Sequence, residues 1–102
     1  MNSVITKHLE QINLLCRSNG VSRLFAFGSV TSEKFNPEKS DIDFLVEVNE
    51  PDPLKKGDYI LNLWDGFEAL FKRKVDLLTP NSIRNPILKE AIEETKVLVY
   101  EA

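Results

Sequence analysis

The distribution of hydrophobic positions along the chain predicts two long amphipathic helices. In the N-terminal segment apolar residues recur every three to four positions, which is typical of a helix with one buried face. We expect this helix to begin at Asn2 or Ser3 and to end near Asn19-Gly20, because glycine accepts the left-handed conformation that follows a helix. A second segment with the same repeat extends to Phe71, with Asp58 as its predicted N-cap.

Short apolar runs between polar turns predict four strands, and a third helix lies between the last two. The strands cover residues 22–27, 41–48, 75–78 and 97–100. The third helix covers 87–94, since Asn85-Pro86 has the cap-then-proline form of a helix start. Two prolines predict a loop from Asn49 to Gly57, and residues 30–40 are expected to form a short helix or turn followed by a loop. This order predicts an α/β (α+β) fold, a small mixed β-sheet with helices packed on it.

Two carboxylates in the second predicted strand are the first candidates for chemistry. Residues i and i+2 of a strand point to the same face, so Asp41 and Asp43 should lie side by side while Ile42 and Phe44 face the core. Neighbouring carboxylates repel each other, and a divalent cation would remove that cost by binding both. A turn or cap at the strand edge would explain the same spacing without catalysis.

Asp76 supplies a third acidic residue, within the apolar run 75–78. A charge in such a run is costly unless it is paired or binds a metal. If the third strand lies beside the second, Asp76 joins Asp41 and Asp43. Three carboxylates suit Mg²⁺, and two such ions could hold the attacking and leaving oxygens of a phosphoryl-type displacement.

The pair Gly28-Ser29 follows the first predicted strand and is a candidate anion site. Glycine lets the backbone approach a ligand closely, and backbone N–H groups at the start of a turn can bind phosphate. The serine hydroxyl adds another donor. A plain turn is the alternative, but the pair gains weight from the Asp-x-Asp strand that follows one loop later.

The length, composition and charge of the chain argue against some classes of protein. The chain has 102 residues, so we expect a single domain over 1–102, and its formal net charge is −3. This acidic balance gives no reason to expect direct nucleic-acid binding, which usually goes with a basic surplus, and the basic run 72–74 reads as solvated surface. Because Cys16 is the single cysteine, no disulfide can form within the chain. The sequence also has no apolar segment long enough to span a membrane, so we expect a cytoplasmic protein.

A specific pattern links three segments: Phe27-Gly28-Ser29, Ser40-Asp41-Ile42-Asp43-Phe44-Leu45-Val46 and Lys74-Val75-Asp76-Leu77-Leu78. This pattern resembles the minimal nucleotidyltransferases of the DNA polymerase β-like superfamily. The resemblance extends from the first predicted strand to the last and implies the polymerase β-like nucleotidyltransferase fold. Two features depart from it: the loop between Ser29 and Asp41 is one residue longer than usual, and Val30-Thr31-Ser32-Glu33 replaces the arginines that many relatives carry.

The resemblance implies a role for each candidate residue. Asp41 and Asp43 would bind two Mg²⁺ ions, and Asp76 would be a third ligand that helps to activate the attacking hydroxyl. Gly28-Ser29 would bind the triphosphate of ATP. Ser40, which precedes the Asp-x-Asp pair, is included among the nucleotide-binding candidates.

The resemblance also implies a partner. Many family members of this size resemble antitoxins that transfer AMP from ATP to a tyrosine of a HEPN-type toxin. Two alternatives remain open. One is a nucleotidyltransferase acting on a small molecule, which would normally need an added domain for the acceptor. The other is a non-catalytic module that neutralises a toxin by contact.

Overall fold

Four strands form one mixed sheet in the computed structural model, which describes residues 3–31, 36 and 40–102. The strands are β1 (Val21–Phe27), β2 (Ile42–Val48), β3 (Val75–Leu78) and β4 (Val97–Glu101). Their order is β3-β2-β1-β4, with β2 and β3 parallel and β1 antiparallel to both β2 and β4. The predicted strands and the mixed sheet are confirmed, with differences of one residue at some ends.

The helices are α1 (Ser3–Thr6), α2 (Leu9–Ser18), α3 (Pro53–Phe71) and α4 (Pro86–Thr95). Short 3₁₀ turns cover Gly28–Thr31 and Pro80–Ser82. Within the described residues, no helix is both long and apolar enough to cross a membrane. Most of the predicted turn and loop over 30–40 lies outside the described residues. α4 begins as predicted, with Asn85 Oδ1 accepting from the N–H of Ile87 at 2.9 Å.

The predicted N-terminal helix is divided at Lys7-His8 into α1 and α2. α1 begins at Ser3, one of the two predicted starts, while Asn2 lies outside the described residues. The His8 side chain explains the break, because its Nδ1–H donates to the carbonyl of Val4 at 2.9 Å. In a continuous α-helix that carbonyl would accept from the backbone N–H of His8. The N–H instead donates to the carbonyl of Ile5 at 3.0 Å, which is the tighter 3₁₀ pattern.

The prediction for the start of α3 was wrong, because the segment 49–57 is not all loop and Asp58 is not the cap. The helix begins at Pro53, and the N-cap Asp52 accepts from the N–H of Leu54 at 3.2 Å. Proline suits the first helical position, where the missing N–H would have no partner within the helix. Pro53 therefore marks a helix start, and Gly57 lies inside the helix.

The sheet buries a different cluster of side chains on each face. One face, which includes Ile42 and Phe44 of β2, packs against α1, α2 and α3, and the rings of Phe44 and Phe67 lie 4.8 Å apart. The opposite face carries Phe25, Phe27, Leu45 and, from α4, Ile92. Since side chains alternate along a strand, Asp43 projects from this second face, which α4 covers only in part.

Two side chains of α3 hold the start of β3. Trp64 Nε1–H donates to the carbonyl of Val75 at 2.6 Å, and Glu68 Oε2 accepts from the N–H of Val75 at 3.0 Å. α3 is also the crossover that a parallel β2–β3 pair requires. The residue after Val75 is Asp76, so α3 determines where the third acidic residue lies.

Candidate active site

The register of the central strand pair brings two of the predicted acidic residues together. β2 and β3 are parallel neighbours in which Asp43 and Asp76 are direct Cα partners. Directly paired residues of neighbouring strands point to the same face of a sheet, so both carboxyl groups lie on one face. The structure therefore contains the contact between β2 and β3 on which the three-carboxylate hypothesis depended.

Lys74 links the remaining carboxylate to this pair. Its Nζ lies 3.9 Å from Asp41 Oδ2 and 3.9 Å from Asp76 Oδ1. The lysine side chain is 67% exposed, so each ion pair is weak in water. The reading of 72–74 as solvated surface missed this contact. The available signal was spacing, since Lys74 precedes Asp76 by two positions, as Asp41 precedes Asp43.

The environment of Asp43 disfavours its ionised form. Burial, the hydrogen bond with Asp76 and the negative charges of Asp76 and Asp41 together raise the pKa of Asp43 from 3.8 to about 6. Lys74 lowers the pKa of Asp43 and offsets part of this effect. A cation bound beside Asp43 would stabilise the ionised form of its carboxyl group.

Gly28 brings the backbone directly beside Asp43. Its φ of +73° lies in the left-handed region, which favours glycine. A Cβ added at Gly28 would lie 2.6 Å from Asp43 Oδ2, so any side chain there would force Asp43 to move. The 3₁₀ turn that begins here is closed by the hydroxyl of Thr31, which donates to the carbonyl of Gly28 at 2.7 Å. The conformation favours glycine at this position, and the proximity of Asp43 adds to that preference.

The two candidate serines occupy different surroundings. Ser29 is half-buried in the turn that Gly28 begins. The Ser40 hydroxyl accepts from the N–H of Asn36 at 2.9 Å, and the Ser40 carbonyl accepts from Arg73 Nη1 at 3.3 Å. These contacts connect the segment before Asp41 to the segment before β3. They give Ser40 a role in shaping the site, and its role in nucleotide binding stays a prediction.

The three carboxylates fit a hard divalent cation by their donor chemistry. Carboxylate oxygens are ligands that Mg²⁺ prefers, and the crowding of negative charge around Asp43 is relieved by a cation. Over residues 3–31, 36 and 40–102, no three acidic, histidine or cysteine side chains lie close enough together to hold a metal ion as they stand. The ammonium group of Lys74 lies between Asp41 and Asp76 instead. Asp41, Asp43 and Asp76 are the residues that would hold the metal.

The family model of the nucleotidyltransferase domain matches residues 9–99. The chain belongs to the nucleotidyltransferase domain family. The matched range of this nucleotidyltransferase includes β1, β2 and β3 and all three acidic residues, so the predicted family is confirmed.

Sequence relatives of similar length share this assignment. The nucleotidyltransferase is 34% identical over 99 residues to a proposed protein adenylyltransferase of Methanocaldococcus jannaschii, with 97% of this chain and 94% of the relative covered. It is 30% identical over 94 residues to the protein adenylyltransferase MntA of Thermococcus cleftensis, with 92% and 88% covered. Both relatives are named as enzymes of one reaction class, AMP transfer to protein.

A solved structure shares the fold of this nucleotidyltransferase. It is the complex of a tri-AMPylated Shewanella oneidensis HEPN toxin with an MNT antitoxin. The TM-score is 0.61 at 18% identity, and the alignment covers 96% of this chain and 73% of that chain. At this identity the likeness establishes the fold alone, and the predicted mixed-sheet architecture is confirmed.

Proposed function

We propose that this chain transfers AMP from magnesium-bound ATP to a hydroxyl group, and that the acceptor is a tyrosine of a HEPN-type toxin. The observation that carries the proposal is the grouping of Asp41, Asp43 and Asp76 around Lys74 and beside the Gly28 turn. Membership of the nucleotidyltransferase domain family and relatives named protein adenylyltransferases support the same reaction class.

The triphosphate binds at the Gly28-Ser29 turn. The left-handed conformation of Gly28 opens the backbone at the end of β1, and exposed N–H groups of such turns attract anions. Asp41, Asp43 and Asp76 hold magnesium, which when bound neutralises phosphate charge and polarises the α-phosphate. The close contact between Gly28 and Asp43 supports a continuous site for phosphate and metal.

One of the carboxylates also accepts the proton that the acceptor hydroxyl loses. As the acceptor oxygen bonds to the α-phosphorus, its proton passes to Asp76. The bond from the α-phosphorus to the bridging oxygen breaks, and pyrophosphate leaves with that electron pair. The pairing of β2 with β3 sets Asp76 opposite Asp43 and so holds it in position. Catalysis rests on positioning and electrostatics, with no covalent intermediate on the protein.

A protein acceptor has support from the comparisons. The structure that shares this fold is a complex with a HEPN toxin that is itself tri-AMPylated. We therefore infer that this chain modifies a toxin of the same class and in that way acts as an antitoxin.

The test is co-expression with the product of the neighbouring gene, followed by intact-mass measurement of that protein. Wild type should add one or more AMP units. Asp41→Asn and Asp43→Asn keep the size of the side chain but remove the charge that holds the metal, so the added mass should disappear. Asp65→Asn, an exposed aspartate on α3, is the matched control and should behave as wild type.

Equal mass gain with wild type and both site variants would refute the enzymatic proposal. A partner that is neutralised without any mass gain, by wild type and variants alike, would favour the non-catalytic binding module. Circular dichroism of each variant establishes that the fold is retained.

A further inference from the structure

An apolar pocket opens between α4 and the end of β1. Its volume is about 390 Å³, within the range of about 300–1,000 Å³ that is usual for small-molecule sites. Phe27 and Ile92 are its buried lining residues, and Leu88, Ala91 and Thr95 are contributed by the exposed side of α4. The Thr95 hydroxyl donates to the carbonyl of Ala91 at 2.8 Å, so it is already engaged within the helix. The described lining therefore offers mainly hydrophobic contact.

The pocket is continuous with one side of the carboxylate cluster. Gly28 and Asp43 complete its lining, whereas Asp41, Asp76 and Lys74 are not among the described lining residues. In the proposed reaction the acceptor hydroxyl approaches Asp76, and the triphosphate lies on the Gly28 turn. A pocket bounded by Gly28 and Asp43 therefore lies on the nucleotide side of the reacting phosphorus.

We infer that this pocket receives the nucleobase of the nucleoside triphosphate, held by contact with the apolar face of α4. The inference rests on the proposed function and adds to it the part of the site that recognises the nucleoside. A planar base buries its faces against apolar side chains, and the ribose and α-phosphate then extend past Asp43 toward the Gly28 turn. The small side chain of Ala91 leaves the space that the base needs.

The test compares two ligands that share a triphosphate chain, one with a nucleoside and one without. Calorimetry measures the binding of magnesium-ATP and of magnesium-tripolyphosphate to wild type and to Ala91→Leu. Leucine fills the pocket, and it suits an exposed helical position nearly as well as alanine does. Ala91→Leu should weaken ATP binding by at least about tenfold and change tripolyphosphate binding by less than about twofold. Glu90→Leu adds the same side chain to α4 outside the pocket lining and should leave both affinities as in wild type.

Each outcome is decisive. Unchanged ATP binding by Ala91→Leu, or equal loss of both ligands, overturns the assignment of the pocket. If ATP binding is unchanged while AMP transfer fails, the pocket serves the acceptor, and the assignment to the base is wrong. If wild type binds both ligands equally, no nucleoside site exists although the phosphate site stands. If wild type binds neither, the proposed function fails as well.

Discussion

At the scale of single residues, Gly28 and Asp43 depend on each other. The Asp43 carboxyl group can lie against the backbone of the turn that follows β1 because residue 28 has no side chain. The same closeness helps to bury Asp43, and burial is the largest cause of its raised pKa. A site that gathers negative charge in this way is stabilised by a bound cation and destabilised without one.

Gly28→Ala should damage both the fold and the reaction. The left-handed φ of +73° costs a residue with a Cβ roughly 1–2 kcal/mol, and the new methyl group must displace Asp43. We expect the free energy of unfolding to fall by at least that amount, and AMP transfer to be lost under conditions where the variant is folded. Urea unfolding and the transfer assay measure the two effects.

Gly57→Ala is the matched control for this prediction. Gly57 lies inside α3, and an added Cβ meets no atom of the described chain within 4 Å. Alanine there should stabilise the helix by up to about 1 kcal/mol and leave transfer unchanged. If the two glycine variants behaved alike, the special conformation assigned to Gly28 would be wrong.

Asp43 should make the metal-free protein less stable as the pH rises from 3.8 to about 6. The pKa of Asp43 is raised in the folded state, so within this window the folded protein binds more protons than the unfolded chain. The contribution of this group to the free energy of unfolding is therefore present at low pH and is lost as the pH rises through about 6. Urea midpoints across the window measure this trend.

Asp43→Asn isolates that contribution from those of other groups. The variant should be more stable than wild type above the window in the absence of magnesium, and the difference should shrink as the pH falls below it. Magnesium should raise the midpoint of wild type more than that of the variant. A variant that is destabilised equally at both ends of the window would contradict the electrostatic account.

At the scale of elements, α3 and β3 act together in placing Asp76. The indole of Trp64 and the carboxylate of Glu68 bind both backbone polar groups of Val75. Pairing with β2 then sets Asp76 opposite Asp43. The position of the third carboxylate thus depends on a helix whose own residues lie outside the site.

Trp64→Phe tests this dependence. The substitution keeps an aromatic ring but leaves the partly buried carbonyl of Val75 without its indole donor, which costs about 1–3 kcal/mol. AMP transfer should also slow under conditions where the variant is fully folded, because Asp76 is less firmly placed. Chemical denaturation and the transfer assay are the measurements.

Leu61→Ala on the same helix serves as the comparison for Trp64→Phe. The Leu61 side chain is 61% exposed, so its loss should change stability by less than about 0.5 kcal/mol and leave transfer intact. Equal effects of the two substitutions would mean that the indole hydrogen bond has no special role.

The strands and helices show how much of the fold could be predicted from the sequence. Alternation along 41–48 and the apolar runs predicted the strands and the common face of Asp41 and Asp43. The sequence did not determine that β3 lies beside β2, so the position of Asp76 remained conditional until the sheet order was known. The start of α3 was missed because Pro53 was read as a loop residue, although proline suits the first helical turn.

The remaining misses come from contacts that no local pattern encodes. The break before α2 depends on a hydrogen bond from the His8 side chain to the carbonyl of Val4. The contact of Lys74 with two carboxylates depends on strand pairing. The apolar pocket depends on how α4 packs over the end of β1. Each follows from tertiary packing.

At the scale of the whole molecule, the sheet separates a packed side from a reactive side. Helices α1 to α3 cover one face around the larger core, and α4 covers part of the other face, where the carboxylates lie. Among the described residues, α4 leaves part of this face uncovered, which suits the large acceptor of the proposed reaction.

Cys16 provides a probe of the packed side. The side chain is fully buried, and burial raises the pKa of its thiol to about 12. The thiolate is the reactive form, so labelling by a thiol reagent should require opening of the core. Labelling in native buffer should be far slower than in urea, and the two rates together measure the opening free energy. Similar rates in both solvents would mean that the core around α2 is not stably packed.

The proposed magnesium site combines Asp41 and Asp43, at the start of β2, with Asp76 of β3. It is tested most directly by calorimetric titration of magnesium in the presence of an ATP analogue that cannot be cleaved between its α- and β-phosphates. Single substitutions Asp41→Asn, Asp43→Asn and Asp76→Asn should each weaken magnesium binding by at least about tenfold, and the exposed control Asp65→Asn should bind as wild type does. If Asp76→Asn bound magnesium with wild-type affinity, β3 would contribute nothing to the metal centre and the account would be contradicted.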